Sequence, residues 1–468
     1  MELQSFVVGI FHLGILSFFL LLGKLIRVRI ETLQYLLLPS AAIGGLLAMA
    51  VSPYTLGGII DYPELIVDIY DNFQEISIFL LNFVFAGMFI GRKIPGLKKS
   101  FSEAGPQILL GQMLSWGQIF LPSLLVAFLL SRFYDIPEAF GTLVAVGFDG
   151  GATVAVGYTS TFQELGWYPD GVQLAIAAGV VGVLGGCIIG VSLINWLVRN
   201  GHIQEAEDPN ELPDSVRRGL LDEENFERAG TITVVPQSVE PIALHLCLFG
   251  LAMLGGWGIV ALLESLPGFL GTFFSFAPLF PFAMVSGMII QIVLNRLDYG
   301  YLVDRGLAER LSGLGLEFCI LSVFGSLNLP LVLQSSIPLG IIIISGIVWS
   351  VATALYVAPR IMPDHWAERM LVDYGQSMGN VPVGMMLLRV VDPQFKTPAL
   401  ETFSYKHTFH APVFFSILAF LPILAGMAGI EIVALISLGA IVLCYVLARL
   451  LGYWQKAERP LRRVLEEN

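Results

Sequence analysis

A chain of 468 residues that is 56% hydrophobic and only 13% charged, with a mean hydropathy of +0.77, is not a soluble domain, where roughly a quarter of residues are charged. Its net charge of −12 comes with no basic stretch able to neutralise a phosphate backbone, which excludes nucleic acid as a partner. Apolar residues fall in runs of about 20, the length that crosses a hydrocarbon core roughly 30 Å thick. The expected class is therefore an all-α polytopic protein with the lipid bilayer as its partner.

In chain order, spans are predicted at 6–26, 33–51, 76–91, 106–131 and 171–198, then at 241–264, 274–294, 311–327, 333–358, 409–427 and 430–453. The first is read as a retained span, because it opens with Glu2 and no small-residue cleavage site precedes Lys24. Cys187, Cys247, Cys319 and Cys444 all lie inside apolar runs without C-x-x-C spacing and read as small buried packing residues. Two apolar stretches, about 137–165 and 365–391, resist assignment as ordinary spans.

Basic residues orient the spans. Lys24, Arg27 and Arg29 follow the first span; Arg92, Lys93, Lys98 and Lys99 follow the third. Arg199 follows the fifth, Arg296, Arg305 and Arg310 the seventh, and Arg449, Lys456, Arg459, Arg462 and Arg463 the last. All fall on one side if the amino terminus is outside, the carboxyl terminus is cytoplasmic, and each leftover stretch returns to its own side as a re-entrant hairpin. Five crossings is an odd number, so the second half begins on the opposite face and repeats the plan upside down. The expected architecture is two inverted-topology repeats of five transmembrane helices plus one re-entrant hairpin each, a recurrent design in secondary transporters. The first repeat covers 1–198, an acidic cytoplasmic linker 199–240, and the second repeat 241–427. An additional eleventh helix and a basic cytoplasmic tail occupy 428–468.

The first leftover stretch contains Gly147-Phe-Asp-Gly-Gly151, with Asp149 among three glycines. A glycine costs a helix interior about 1 kcal/mol relative to alanine, and an acid at membrane depth costs several kcal/mol on insertion scales. Unwound backbone at that depth must be covered by protein or line a wet cavity. The second reads Gly375-Gln-Ser-Met-Gly-Asn-Val-Pro-Val-Gly384; Gly375 and Gly379 match Gly147 and Gly151, and Pro382 interrupts helical bonding. The functional reading is that two hairpins meet near mid-membrane, their N–H groups facing an anion and their carbonyls a cation such as Na⁺. The competing reading is close helix packing alone, the role assigned to Gly179, Gly182, Gly185 and Gly186.

Gly150-Gly-Ala-Thr-Val-Ala-Val-Gly-Tyr-Thr-Ser-Thr-Phe-Gln-Glu-Leu-Gly166, followed by Pro169-Asp-Gly and a glycine-rich span, resembles the bacterial sodium/glutamate symporter family. Ala358-Pro-Arg-Ile361, Gly375, Gly379 and Pro382 are similar to the family's second glycine loop and the pair before it. The likeness covers roughly 1–427. It implies Na⁺ as coupling ion, L-glutamate or a related small carboxylate as cargo, a homodimer, an elevator-like motion and residence in the bacterial inner membrane. The chain departs from the family in Ser377 for a glycine, in Asn380-Val-Pro382 for Ala-Thr-Pro, in Asp149 itself and in the extra eleventh span. It reads as a divergent member whose fold survives these changes and whose cargo they bear on.

Candidate substrate contacts are Gly150, Gly151, Thr153, Gln376, Ser377, Gly379 and Asn380; candidate cation contacts are Asp149, Asn380 and Glu317. Asn82, Gln112, Ser115 and Gln118 read as hydrogen bonds between helices, and His12 and His245 as packed histidines. His407 and His410, near Lys406, read as interfacial. Arg369 and Arg389 are the nearest basic groups to the second stretch and read first as positive-inside residues, with carboxylate binding as the alternative. The alternative functions are a carrier for another carboxylate, an H⁺-coupled carrier, or a non-transporting sensor. No pair of embedded acids, zinc-spaced histidines or nucleophile motif argues for an enzyme. The topology makes a direct forecast: in a background without native cysteines, Asn210→Cys labels with an impermeant maleimide only from the cytoplasmic side, and labelling of intact cells from outside overturns the orientation.

Overall fold

A computed structural model describes residues 2–455 except 93, 95, 96, 204–217, 222, 224–227, 363 and 394. The acidic centre of the expected linker and the basic tail beyond residue 455 lie outside these described residues. Within them the chain is helical, with no strand. The first half holds α1 (Glu2–Arg29), α2 (Ser40–Ala50), α3 (Phe73–Gly87), α4 (Leu97–Phe128), a broken segment of α5 (Leu143–Phe148) and α6 (Gly151–Val156), then α7 (Asp170–Arg199). The second half holds α8 (Pro241–Glu264), α9 (Phe280–Arg296), α10 (Arg305–Gly325), α11 (Ser336–Tyr356), a broken segment of α12 (Trp366–Met378) and α13 (Val381–Val391), and α14 (Ala399–Leu418). α15 (Ile430–Leu450) follows.

Among the described residues, six helices are long and apolar enough to cross a membrane: Ile10–Arg29, Glu103–Arg132, Asp170–Arg199, Pro241–Glu264, Ser336–Ile361 and Ile430–Leu450. Their outward faces expose Leu13, Leu21, Leu254, Trp257, Leu262, Leu435 and Leu443, a surface that hydrocarbon covers and water does not. The chain is a multi-pass membrane protein. Two expected spans are broken well inside their run. The run 33–51 is split because Leu37 takes φ 56° and Pro39 caps α2 in an extended conformation, proline having no N–H to continue the helical ladder. The run 409–427 breaks after Leu418, where the next helix opens with Leu421-Pro422. Its helix also begins ten residues earlier than expected, at Ala399. Cys247 is exposed, contrary to the buried role read for it, whereas Cys187, Cys319 and Cys444 are buried.

Helix contacts sort into two groups. α1 packs on α2, α2 and α3 on α10, and α8 on α3 and α9. In the other group α4 packs on α11, α14 and α15, and α7 lies against both broken segments. The first three helices of each half thus gather apart from its fourth helix, broken segment and fifth helix.

At 1.5 Å per residue, α7 is a ruler about 45 Å long. Near its start, a Cβ on Gly171 would lie 2.7 Å from the Phe162 ring and 2.8 Å from Trp167, where the first broken segment returns. Farther along, Gly179 has no room for a Cβ against the backbone of Ala152, nor Gly182 against the carbonyl of Met378. Gly190 faces Leu387, and beyond the end the His202 ring meets Trp366, the first residue of α12, at 5.0 Å. The two broken segments therefore approach α7 from opposite ends and reach its middle together. Each folds back on itself: Phe140 and Trp167 are 6.1 Å apart across the first, and a Cβ on Gly375 would lie 2.6 Å from Cα of Gly384 across the second. Gly179 and Gly182 do serve close packing, and what they pack is the two tips, whereas Gly185, read with them, is not tightly packed.

The neighbouring Gly185 provides a control, since its Cβ would meet only the flexible end of Met378 at 3.4 Å. Gly182→Ala is expected to cost about 1–3 kcal/mol through overpacking, whereas Gly185→Ala is neutral or stabilising by up to about 1 kcal/mol through helix propensity. Thermal unfolding of the two purified variants checks this, and equal melting temperatures would contradict the seat described for the second tip.

Candidate functional site

The two tips touch. Helical bonding stops at Asp149 (φ −78°, ψ 49°) and Gly150 (φ 157°), and Gly151 resumes at φ 72°, conformations glycine adopts without a Cβ penalty. A Cβ on Gly151 would lie 2.6 Å from the Gly379 carbonyl oxygen of the other tip. Glycine at 151 is thus required twice, by its own backbone and by its neighbour.

Asp149 is almost wholly buried, with 1% of its surface exposed. Its Oδ1 accepts a hydrogen bond from Gln376 Nε2 at 3.0 Å, and its Oδ2 from Ser115 Oγ at 2.8 Å and His410 Nε2 at 3.4 Å. The Gln376 carboxamide is oriented by charge at both ends, since its Oε1 accepts from the Lys406 ammonium while its N–H group donates to Asp149. Such a chain of polarised bonds is mutually strengthening in a low dielectric. Lys406 Nζ also stands 3.3 Å from Asp373 Oδ1. The histidine's tautomer follows from its neighbours. Gln112 Oε1 accepts from Trp116 Nε1 at 2.9 Å, so Gln112 Nε2 donates to His410 Nδ1 at 2.9 Å. The ring is then neutral, with its proton on Nε2 directed at Asp149.

One helix supports all of this. Gln112, Ser115 and Gln118 recur every three residues along one side of α4 and reach His410, Asp149 and the Ser377 carbonyl, the last accepting from Gln118 Nε2 at 2.9 Å. Gln118 Nε2 also donates to Ser350 Oγ of α11 at 2.8 Å. The expectation of bonds between helices holds for these three, at the site, but not for Asn82, whose Nδ2 donates to the Ile78 carbonyl of its own helix at 2.8 Å.

Of the sequence candidates, Asp149 and Gln376 are bonded to each other, and Gly150, Gly151 and Gly379 form the meeting tips. Thr153, Ser377 and Asn380 are there too, but their side chains serve their own backbone. Thr153 Oγ1 donates to the Gly150 carbonyl at 2.8 Å and Ser377 Oγ to the Tyr374 carbonyl at 3.1 Å, while Asn380 Oδ1 accepts from Val383 N–H at 3.1 Å and so caps α13. Glu317 stands apart, exposed on α10 with Lys24 as its charged neighbour, and is not brought to the tips. Arg369 is buried and donates to Asp364 at 2.9 Å and Gln107 at 3.3 Å, whereas Arg389 is exposed. His245 is packed as expected, bonding the Pro241 carbonyl and accepting from Asp304 N–H at 2.9 Å.

His407 and His410 correct the interfacial reading, for both are buried. Sequence reasoning also missed Lys406 and Asp373 as site residues. A signal was available: Lys406 and His410 are four residues apart, hence on one helix face, and no glycine or proline between 399 and 411 ends the helix that carries them. Among the described residues no three His, Cys, Asp or Glu side chains gather as a metal site. Every other charge in this buried cluster has an opposite charge close by, Lys406 with Asp373 and Arg369 with Asp364. Asp149 receives only neutral donors among the described residues.

A polar cavity of about 370 Å³ opens between α3, the return of the first broken segment and the start of α9, lined by Asp71, Gln74, Asn82, Gly157, Ser160 and Gln163 among others. Its walls come from both helix groups.

Compared with known families, the chain matches the sodium/glutamate symporter model over residues 9–397. That is shorter than the likeness read from the sequence, and it ends before α14. No curated protein matches.

Because Gln376 bonds Asp149 and Lys406 at once, Gln376→Leu is expected to cost more stability than Ser115→Ala. The first removes a charge-assisted partner from each of two buried charges, at about 2–5 kcal/mol, and the second removes one neutral donor, at about 0.5–1.5 kcal/mol. Chemical or thermal unfolding of the purified variants measures both, and a Gln376→Leu cost no larger than that of Ser115→Ala would break the relay into independent contacts.

Proposed function

Since this chain belongs to the sodium/glutamate symporter family, a family of transporters and not of enzymes, we propose that it is a secondary carrier coupling Na⁺ entry to import of a small organic anion, with L-glutamate as the favoured cargo. The observation that carries this reading is the Asp149–Gln376 bond at 3.0 Å, which joins the two broken segments across 227 positions of sequence. A buried carboxylate beside unwound backbone is what a desolvated Na⁺ needs, because carbonyl and carboxylate oxygens replace its water. Asp149 supplies the charge, and the tip carbonyls around Gly150 and Gly379 supply neutral oxygens. The cargo's carboxylates would be held by tip N–H groups, with Gln376, Ser377 and Asn380 nearby.

We take the two halves to be inverted repeats, with the amino terminus outside and the carboxyl terminus cytoplasmic. The approach of the two broken segments from opposite ends of α7 supports this, as does the sorting of corresponding helices into the same group. Asp149, Gln376, Lys406 and His410 all lie within the group containing α4 and α7, so the site travels with that group while α1–α3 and α8–α10 stay as its frame. That is an elevator-like cycle, and the exposed apolar face of α8 is suited to a second copy in a homodimer.

Uptake of radiolabelled amino acids and dicarboxylates into proteoliposomes, with Na⁺ or a proton gradient imposed separately, tests the proposal. Na⁺-driven glutamate accumulation is the expected result, and accumulation driven by protons without Na⁺ removes the sodium assignment. Asp149→Asn is expected to raise the Na⁺ concentration for half-maximal uptake at least tenfold, about 1.4 kcal/mol of lost cation stabilisation; unchanged Na⁺ dependence takes Asp149 out of the coupling site.

A further inference from the structure

Lys406 is a lysine buried among helices, with 1% of its surface exposed. Its ammonium binds two oxygens of α12, Gln376 Oε1 and Asp373 Oδ1, and lies 5.4 Å from the Phe403 ring centroid. The approach is prepared by a neighbouring helix: a Cβ on Gly111 of α4 would overlap the lysine's Cε and come within 2.9 Å of its Nζ. Asp373 is fully buried, and the Lys406 ammonium is the charge in direct contact with it, with the Arg369 guanidinium and the Gln107 side chain as further neighbours. α14 lies beyond the residues that match the family.

We propose that the Lys406 ammonium is a built-in counter-ion, filling on the second broken segment an oxygen site that would otherwise take a diffusible monovalent cation. A carboxylate and a carboxamide oxygen converging on one compact positive charge are ligands that Na⁺ and an alkylammonium share. Because the lysine is tethered, this positive charge neither dissociates nor is counted among the coupling ions. Asp149, bonded to the same carboxamide from the other side, keeps the site for the exchangeable ion. The inference deepens the Na⁺-coupling reading but is tested by ion binding rather than by transport.

The experiment is Na⁺ binding by purified protein, using radioactive ²²Na⁺ for stoichiometry and Na⁺-induced thermal stabilisation as a second readout. Lys406→Met keeps the stem's volume and removes the charge, and is expected to bind one more Na⁺ per chain than wild type. Lys406→Met/Asp373→Asn removes both charges of the pair, and its Na⁺ count is expected to return to the wild-type value. A folded Lys406→Met with the wild-type count overturns the proposal, as does a double variant that retains the extra ion. Should the single variant unfold without Na⁺, the proposal requires that Na⁺ rescue it and that the double variant be folded without Na⁺; a double variant as unstable as the single one overturns it. If wild type binds no Na⁺ while Lys406→Met binds one, the coupling reading fails and the counter-ion stands. If wild type binds Na⁺ and Lys406→Met gains none, the reverse holds.

Discussion

Interrupted helices persist inside a membrane only where protein covers their free backbone groups, because each unsatisfied group in hydrocarbon costs several kcal/mol. Here the cover is the glycine face of α7. Gly179 meets Ala152 of one tip and Gly182 meets Met378 of the other, so a single helix fixes how far each broken segment can enter. From that distance follow the contact of Gly151 with Gly379 and the register that sets Asp149 opposite Gln376. The same closeness leaves no room for a side chain at the meeting point, which is why the tips communicate through backbone and through two polar side chains.

Charge placement follows from burial at that point. A carboxylate so deep needs donors on every side, and they come from three directions: Ser115 on α4, Gln376 on α12 and His410 on α14. Each of those is oriented in turn. Trp116 sets the Gln112 carboxamide, Gln112 sets the His410 tautomer, and Lys406 sets Gln376. The network therefore has one polarity throughout, with the ammonium at one end and Asp149 at the other.

The all-helical, membrane-spanning class was legible because bilayer thickness and helix length are coupled so tightly that apolar runs mark spans. The two tips were legible for a related reason, glycine and aspartate being costly there without a purpose. α14 was not, and the failure is instructive. Glu401, Lys406, His407 and His410 lower the local hydropathy, so the apolar run seemed to begin at 409, although the helix starts at Ala399. Lys406 and His410 belong to the buried cluster, where residues of other helices satisfy them, as Gln112 does His410 across 298 residues. Hydropathy registers their cost and has no access to those partners. Ser377 and Asn380 illustrate the converse, being polar and correctly located, yet turned to their own backbone as short polar side chains commonly are.

The arrangement of contacts also bears on how such a protein can move. If the polar cluster were divided between the two helix groups, relative motion would have to break a bond between buried charges, at several kcal/mol. It is not divided: Lys406, Asp373, Gln376, Asp149, Ser115 and His410 all belong to the group around α4 and α7. Neutral bonds cross between the groups where the first broken segment returns: Gln74 to Thr159 at 2.9 Å, Thr161 to the Phe276 carbonyl at 2.9 Å, Gln173 to the Ser326 carbonyl at 3.2 Å, and Asn328 N–H to Gln173 at 2.8 Å. Neutral hydrogen bonds have modest net strength, near 1 kcal/mol each, and water entering the polar cavity beside them can replace them as they part. In the elevator-like cycle proposed above, motion along that seam would leave the charged cluster intact.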